Sequence, residues 1–155
     1  SSDLEGEIME YKHLGVYGLV IKGEEVLLIK KAVGPYKGKL DLPGGTVNFG
    51  ERPNETLIRE FDEETGLAIT DYSLFDVDSV KFLYKENDKS IMVHHMGIFY
   101  KILGYENDIK ENISVDLVND DSLGAGFYKI SSLRKEDLSK IAILELEKLG
   151  YELND

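Results

Sequence analysis

The chain contains no cysteine, which excludes disulfides, thiolate metal sites and a cysteine nucleophile. Long apolar runs are also missing. The longest are strand-sized, such as Gly18-Leu19-Val20-Ile21, far short of the roughly 20 residues that a membrane-spanning helix needs. Positive charge is scarce: 18 Lys and Arg against 30 Asp and Glu give a formal net charge of −12. A surface of that sign repels DNA, RNA and anionic lipid at long range, so neither nucleic acid nor membrane is expected as a partner. A small phosphorylated substrate remains compatible, provided that cations neutralise its site. The polar, acidic N-terminus does not read as a secretory signal, and a cytoplasmic enzyme is the expectation. No internal repeat, low-complexity block or Pro/Gly/Ser linker divides the sequence. Its 155 residues, 42% hydrophobic and 31% charged, fit one globular domain over residues 1–155, with 1–10 as a candidate flexible N-terminal segment.

Apolar periodicity predicts strands at residues 14–21 and 25–29, joined by a turn at Lys22-Gly23-Glu24. A loop carrying Gly34, Pro35 and Gly38 leads to a short strand, Leu40-Asp41-Leu42, which stops at Pro43-Gly44-Gly45. Pro53 suits the first position of a helix, where its missing N–H costs nothing. That helix is expected to reach Thr65 and stop at Gly66 in the left-handed conformation. Further strands are expected at 79–84 and at 90–103, the second long and aromatic-rich. Residues 104–124 read as a loop region, 126–130 as a last strand and 135–149 as a C-terminal helix. Strands before and after a central helix imply a mixed sheet with helices packed on it. Adjacent strand residues point to opposite faces, so His94 and His95 cannot share one metal ion. Asp76-Val77-Asp78 lacks the glycine and distal Glu of a Ca²⁺ loop and reads as turn chemistry.

Residues 57–66 carry the chemistry. On a helix Glu60, Glu63 and Glu64 stand at i, i+3 and i+4 and share one face. Leu57, Ile58 and Phe61 form an adjacent apolar side able to pack on a sheet. Three neighbouring carboxylates repel one another, and a divalent cation offsets that; Mg²⁺ favours carboxylate oxygens, waters and substrate phosphates. Arg59 is placed to pair with a carboxylate of the preceding loop, Glu51 being the natural candidate. Gly44-Gly45 let the backbone come close enough for a main-chain carbonyl to join the coordination. A solvated face is the commoner fate of three helical glutamates; what favours a site is their register with Gly45, Glu51, Arg59 and Gly66.

Gly45, five residues, Glu51, seven residues, then Arg59-Glu60-Phe61-Asp62-Glu63-Glu64-Thr65-Gly66-Leu67 resembles the complete Nudix box over residues 45–67. The likeness extends to Gly38–Gly45 and to Gly126-Phe127-Tyr128-Lys129-Ile130-Ser131-Ser132-Leu133, covering roughly residues 13–150, although only 38–67 is specific. Leu40 stands where many members carry Trp, Phe61 where an aliphatic residue is usual, and Arg52 where a Ser or Asp cap is common. The resemblance implies the Nudix α/β/α sandwich, a central mixed β-sheet flanked by helices. It also implies Mg²⁺-dependent attack of water on a phosphorus of a nucleoside diphosphate linked to another group, with Mn²⁺ as a substitute metal. Glu60 and Glu64 would be the main Mg²⁺ ligands, Glu63 and the Gly45 carbonyl assisting, and Glu51 and Arg59 would order the loop against the helix. The general base stays open between Glu60 and Glu63, with Glu106, Asp108, Glu111, Asp116 and Asp120 in the region of later family bases.

Lys30 and Lys31 end the second strand where related enzymes place a basic phosphate contact; ordinary strand-end lysines are the alternative. Tyr84, seventeen residues after Leu67, falls near a tyrosine of the family's dinucleoside polyphosphate hydrolases, and packing is its alternative role. The only prolines are Pro35, Pro43 and Pro53, so the proline-containing signatures of the ADP-ribose and NADH subgroups have no counterpart after the box. Family habit adds a homodimer. Two other readings compete: a non-catalytic Nudix-fold sensor of a nucleotide metabolite, and an acidic interaction domain with an accidental match.

Overall fold

Strand β1, Ile8–Leu19, sends successive side chains to opposite faces, and from Gly15 onward both faces are buried. A strand buried on both sides needs a covering layer on each. The computed structural model describes residues 7–109 and 122–155. After β1 come β2 (Ile21–Lys22), β3 (Glu25–Lys31), β4 (Leu40–Asp41), β5 (Gly44–Thr46), α1 (Pro53–Thr65), β6 (Ala68–Glu86), β7 (Lys89–Glu106), β8 (Ser122–Lys129) and α2 (Lys140–Lys148). One sheet runs in the order β5-β1-β7-β6. Within it β1 and β7 are parallel, from Ile8 opposite Ser90 to Leu19 opposite Lys101, and the other pairs are antiparallel. In the second sheet β3 pairs antiparallel with β2, β4 and β8.

The two helices cover opposite sides. Val16, Val20, Leu57, Phe61 and Leu67 form one core with α1; Tyr17, Leu19, Leu28, Ile141 and Leu146 form another with α2. The result is the expected α/β/α sandwich, its central layer divided into a mixed and an antiparallel sheet. Gly18 explains how Phe61 replaces the usual aliphatic residue: a Cβ there would meet the Phe61 ring at 2.5 Å, so the glycine lets the larger side chain lie on β1. Glu55 compensates for Arg52 at the helix start, its carboxylate accepting the Arg52 N–H at 2.8 Å, while Gly66 closes the helix at φ 80°.

Several boundaries differ from expectation. Residues 8–10, assigned to a flexible segment, pair with β7, and residues 1–6 lie outside the described residues. Strands β6 and β7 start earlier and run longer than expected, as a hairpin turning at Asn87-Asp88, both at positive φ. Asp76-Val77-Asp78 therefore lies within β6, past a register shift between Leu74 and Asp76, rather than in a turn. Residues 104–106 belong to β7 and 122–124 to β8; 110–121, expected as loop, lie outside the described residues. Ile130 leaves the last strand for a 3₁₀ turn, Ile130–Ser132. The helix expected from residue 135 begins at Lys140, because Lys135–Asp137 makes a 3₁₀ turn and Ser139 supplies the N-cap, accepting from the Ala142 N–H at 3.1 Å.

Candidate active site

The double glycine of β5 lies against β1 and the start of the acidic face of α1. Gly44 has φ 143°, and a Cβ on it would sit 2.0 Å from the Val16 carbonyl, so no other residue fits. A Cβ on Gly45 would lie 2.8–2.9 Å from the Glu60 carboxylate. The bare backbone at Gly45 thus admits that carboxylate at close range. One turn on, Glu64 is only 4% exposed, and its Oε1 accepts the Gly44 N–H at 2.8 Å.

Arg59 ties the loop to the helix. Its Nε and Nη2 donate to the two oxygens of Glu51 at 2.7 and 3.0 Å. Nη2 also reaches the Thr46 carbonyl at 3.1 Å, and Nη1 reaches Glu60 at 2.9 Å and the exposed Glu63 at 3.3 Å. Glu51 further accepts from the Asn48 N–H and the Thr56 hydroxyl, each at 2.9 Å. The Arg59 bond, followed by that of the Asn48 amide, holds the Glu51 carboxyl at about 2. Its partner Arg59 is held protonated chiefly by Glu51. Bidentate pairing of this kind fixes geometry as well as charge.

Among the described residues no three Asp, Glu or His side chains already form a cation cage. Mg²⁺ does not need one, since it keeps several waters and takes one or two carboxylates plus phosphate oxygens. Glu60 and Glu64, set beside the two glycines, meet that requirement.

A recess bounded by Gly44, Gly45, Asn48 and Glu60 shares His13, Tyr17, Lys31 and Thr46 with an inner cavity of about 190 Å³. Tyr11, Tyr36, Asp41 and His95 line the inner part. The imidazole of His95 bridges two phenols: Nε2 lies 2.6 Å from the Tyr17 hydroxyl and Nδ1 2.9 Å from the Tyr36 hydroxyl. His13 stacks on His95 with ring centroids 4.8 Å apart and bonds Thr46 at 2.7 Å. Gly15 makes room for this arrangement, as a Cβ there would meet the Tyr17 hydroxyl at 2.3 Å. Burial, reinforced by His13 and Lys31, pushes His95 down to about 3, so the ring is neutral. Burial and then the Asp41 charge raise both phenols, which keeps them protonated. Asp41 itself is fixed by the Leu42 N–H at 2.8 Å and the Ser139 hydroxyl at 2.6 Å.

The structure brings Gly45, Glu51, Arg59, Glu60, Glu63 and Glu64 together and places Lys31 between the recess and the cavity. Lys30 is exposed and lines neither. Tyr84 donates to Glu86 at 3.0 Å and lines a groove beside α2 that meets the cavity at Pro35 and Tyr36; it lines neither the cavity nor the recess. Glu106 ends β7 opposite Ala68, and neither it nor Asp108 lines the recess; Glu111, Asp116 and Asp120 lie outside the described residues. Sequence reasoning missed His13, Tyr17, Tyr36 and His95. The one local signal was the alternation Tyr11, His13, Gly15, Tyr17, which puts three rings on one face of β1.

Fold and site together define a sandwich in which a carboxylate-bearing helix faces a glycine loop at the mouth of an aromatic cavity. The chain belongs to the NUDIX family, whose domain model matches residues 11–139. It is 32% identical over 122 residues to the ADP-ribose pyrophosphatase of Methanocaldococcus jannaschii, covering 79% of this chain and 64% of that protein. It is 32% identical over 75 residues to the 8-oxo-dGTP diphosphatase of Escherichia coli, covering 46% and 55%. The matches thus span less than two thirds of these relatives' lengths. Among solved structures, a MutT NUDIX hydrolase from Burkholderia pseudomallei superposes with a TM-score of 0.69 at 23% identity, covering 90% of this chain and 98% of that one. A MutT protein from Bacillus halodurans gives 0.65 at 20%, covering 91% and 84%. These structures share the fold.

Proposed function

We propose that the chain is a Mg²⁺-dependent pyrophosphohydrolase that cleaves a diphosphate linkage in a nucleoside triphosphate or related nucleoside diphosphate derivative. The observation that carries this reading is the continuity of the glycine–glutamate recess with the aromatic cavity through His13, Tyr17, Lys31 and Thr46. A diphosphate at the recess leaves a planar base within reach of the cavity. The names of the relatives, an ADP-ribose pyrophosphatase and an 8-oxo-dGTP diphosphatase, fall in the same class of reaction.

Glu60, Glu64 and the Gly45 carbonyl would hold the cation, with Glu63 assisting, and Mn²⁺ would substitute. When bound, the cation neutralises phosphate oxygens, activates water and stabilises the leaving group. In the hydrolysis an oxygen–phosphorus bond forms to water as the anhydride oxygen–phosphorus bond breaks. Lys31 is the phosphate contact among the two candidate lysines. Arg59 and Glu51 keep the glycine loop in register with α1, and Glu60 or Glu63 takes the proton of the attacking water.

The test is incubation with Mg²⁺ and a panel of common and oxidised nucleoside triphosphates, ADP-ribose, NADH, dinucleoside polyphosphates and nucleotide sugars, with products separated by chromatography. Cleavage of one class at the diphosphate is the expected result. Tight binding of a nucleotide with no product over hours would replace the enzyme by a sensor.

A further inference from the structure

The inner cavity holds a group of residues that the diphosphate chemistry leaves unused. Its volume of about 190 Å³ falls below the roughly 300 Å³ of the smallest drug-sized pockets, which suits one ring system rather than a whole nucleotide. At its wall a buried histidine has both ring nitrogens committed to tyrosine hydroxyls, at 2.6 and 2.9 Å. A neutral imidazole carries one N–H and one bare nitrogen, and this fixes what the two phenols have left to offer.

If Nδ1 carries the proton, it donates to the Tyr36 oxygen, and Nε2 accepts the Tyr17 O–H. Tyr36 then keeps a hydroxyl proton for a ligand, and Tyr17 keeps only lone pairs. If Nε2 carries the proton, the roles reverse: Tyr17 holds the spare donor and Tyr36 the spare acceptor. Moving one proton across His95, with both hydroxyl rotors turning, exchanges donor and acceptor on the cavity wall. Net charge and heavy-atom positions stay the same. The edges of the two common purine types differ by this same exchange. Adenine presents an N6 donor beside a bare N1, whereas a 6-oxopurine presents an O6 acceptor beside an N1–H donor.

We propose that Tyr17, His95 and Tyr36 read the base edge of the substrate, and that exchange of the His95 tautomer lets one cavity accept both 6-amino and 6-oxo purines. The inference rests on the cavity being the base end of the proposed site. It does not require cleavage. His13, stacked on His95, and Tyr11, stacked on His13 at 6.1 Å, supply ring faces at the side and mouth of the same cavity.

The experiment uses the whole wild-type chain with AMP and IMP, a pair differing only at the edge in question. Affinities are measured by calorimetry, and the tautomer of His95 by ¹⁵N NMR of histidine-labelled protein, where the two ring nitrogens report which one is protonated. The expected result is binding of both nucleotides within about threefold of each other, with opposite His95 tautomers in the two complexes. A fixed donor–acceptor pattern would instead discriminate between them by about a hundredfold or more. Such discrimination, the same tautomer in both complexes, or binding of neither nucleotide overturns the proposal. Tyr36→Phe adds a second arm: it removes the hydroxyl that accepts from Nδ1–H, and a buried N–H without an acceptor is costly, so the AMP and IMP complexes should then both show the Nε2–H tautomer. Protein that binds both with exchange yet cleaves no diphosphate keeps this inference and loses the catalytic reading. Cleavage with one invariant tautomer does the reverse.

Discussion

Helices α1 and α2 each bury a glutamate, and the two carboxyls meet opposite surroundings. Glu64 on α1 accepts a backbone N–H at 2.8 Å from Gly44, a residue of the glycine–glutamate recess. Glu145 on α2 is completely buried; as a carboxylate neither of its oxygens has a donor among the described residues, and it bonds only as the protonated acid, donating to Asp76. Burial, then the hydrogen bond to Asp76 and the charge of that carboxylate, pushes its carboxyl up to about 8. Lys148 sits beside it but is committed to Asp76 at 2.6 Å and Asp78 at 2.5 Å. A buried carboxylate is costly unless something satisfies its charge. At α1 a backbone amide does this beside the two glycines. At α2 the carboxyl keeps its proton and shares it with Asp76, a contact with a pH limit.

Metal removal sharpens the contrast most. On the proposed reading, excess EDTA takes turnover below detection and added Mg²⁺ restores it, followed by product chromatography; the Glu145→Gln variant should show the same dependence. Next in size is Arg59→Ala, which frees Glu51 and lets the glycine loop drift from α1. Misplacing the loop by an ångström should lower kcat by about a hundredfold, and loss of the charged hydrogen bonds should cost about 2 kcal/mol in denaturant unfolding. A fully active Arg59→Ala protein would show that the loop needs no tether.

Lys31→Ala should raise KM about tenfold, the scale of one charge-assisted hydrogen bond, with Lys30→Ala unchanged. Equal effects at the two lysines would remove the cavity from the account. The smallest change is expected at Glu145. Its carboxyl titrates at 4.5 as a free group and at about 8 in the fold, so folding favours the protonated form. That stabilisation is complete below 4.5 and lost as pH rises through 8. The Tm of the wild type should therefore fall between pH 6 and pH 9 by more than that of Glu145→Gln, and the variant should be the more stable at pH 9 by about 1–2 kcal/mol. Parallel Tm profiles would mean that Glu145 is ionised or solvated in the fold.

The two sides of the molecule also differ in how well the sequence announces them. Helix α1 occupies Pro53–Thr65 as expected, because proline and glycine punctuate its ends and the acidic register lies within one short segment. Strand β6 was half hidden: its register shifts at Ile69, Asp71 and Leu74 break the alternation by which a strand is recognised, and Asp76 and Asp78 answer to Lys148 on a distant helix. The start of α2 was misplaced because the 3₁₀ turn at Lys135–Asp137 carries helical composition without continuing into the helix. The cavity was least legible. His13 meets His95 only because β1 and β7 pair in parallel with those two residues in register, and Tyr36 arrives from the loop before β4. No local window contains that information.

The most direct test compares the two buried glutamates in one experiment, the turnover of Glu64→Gln and Glu145→Gln at pH 7.5 with saturating Mg²⁺ and the best substrate of the panel. Loss of a carboxylate that would hold the cation against the charge developing in the transition state should lower kcat by about a hundredfold or more in Glu64→Gln, with its circular dichroism spectrum unchanged, while Glu145→Gln turns over at the wild-type rate. Full activity in Glu64→Gln, or an equal loss in both variants, would contradict the assignment of catalysis to the acidic face of α1.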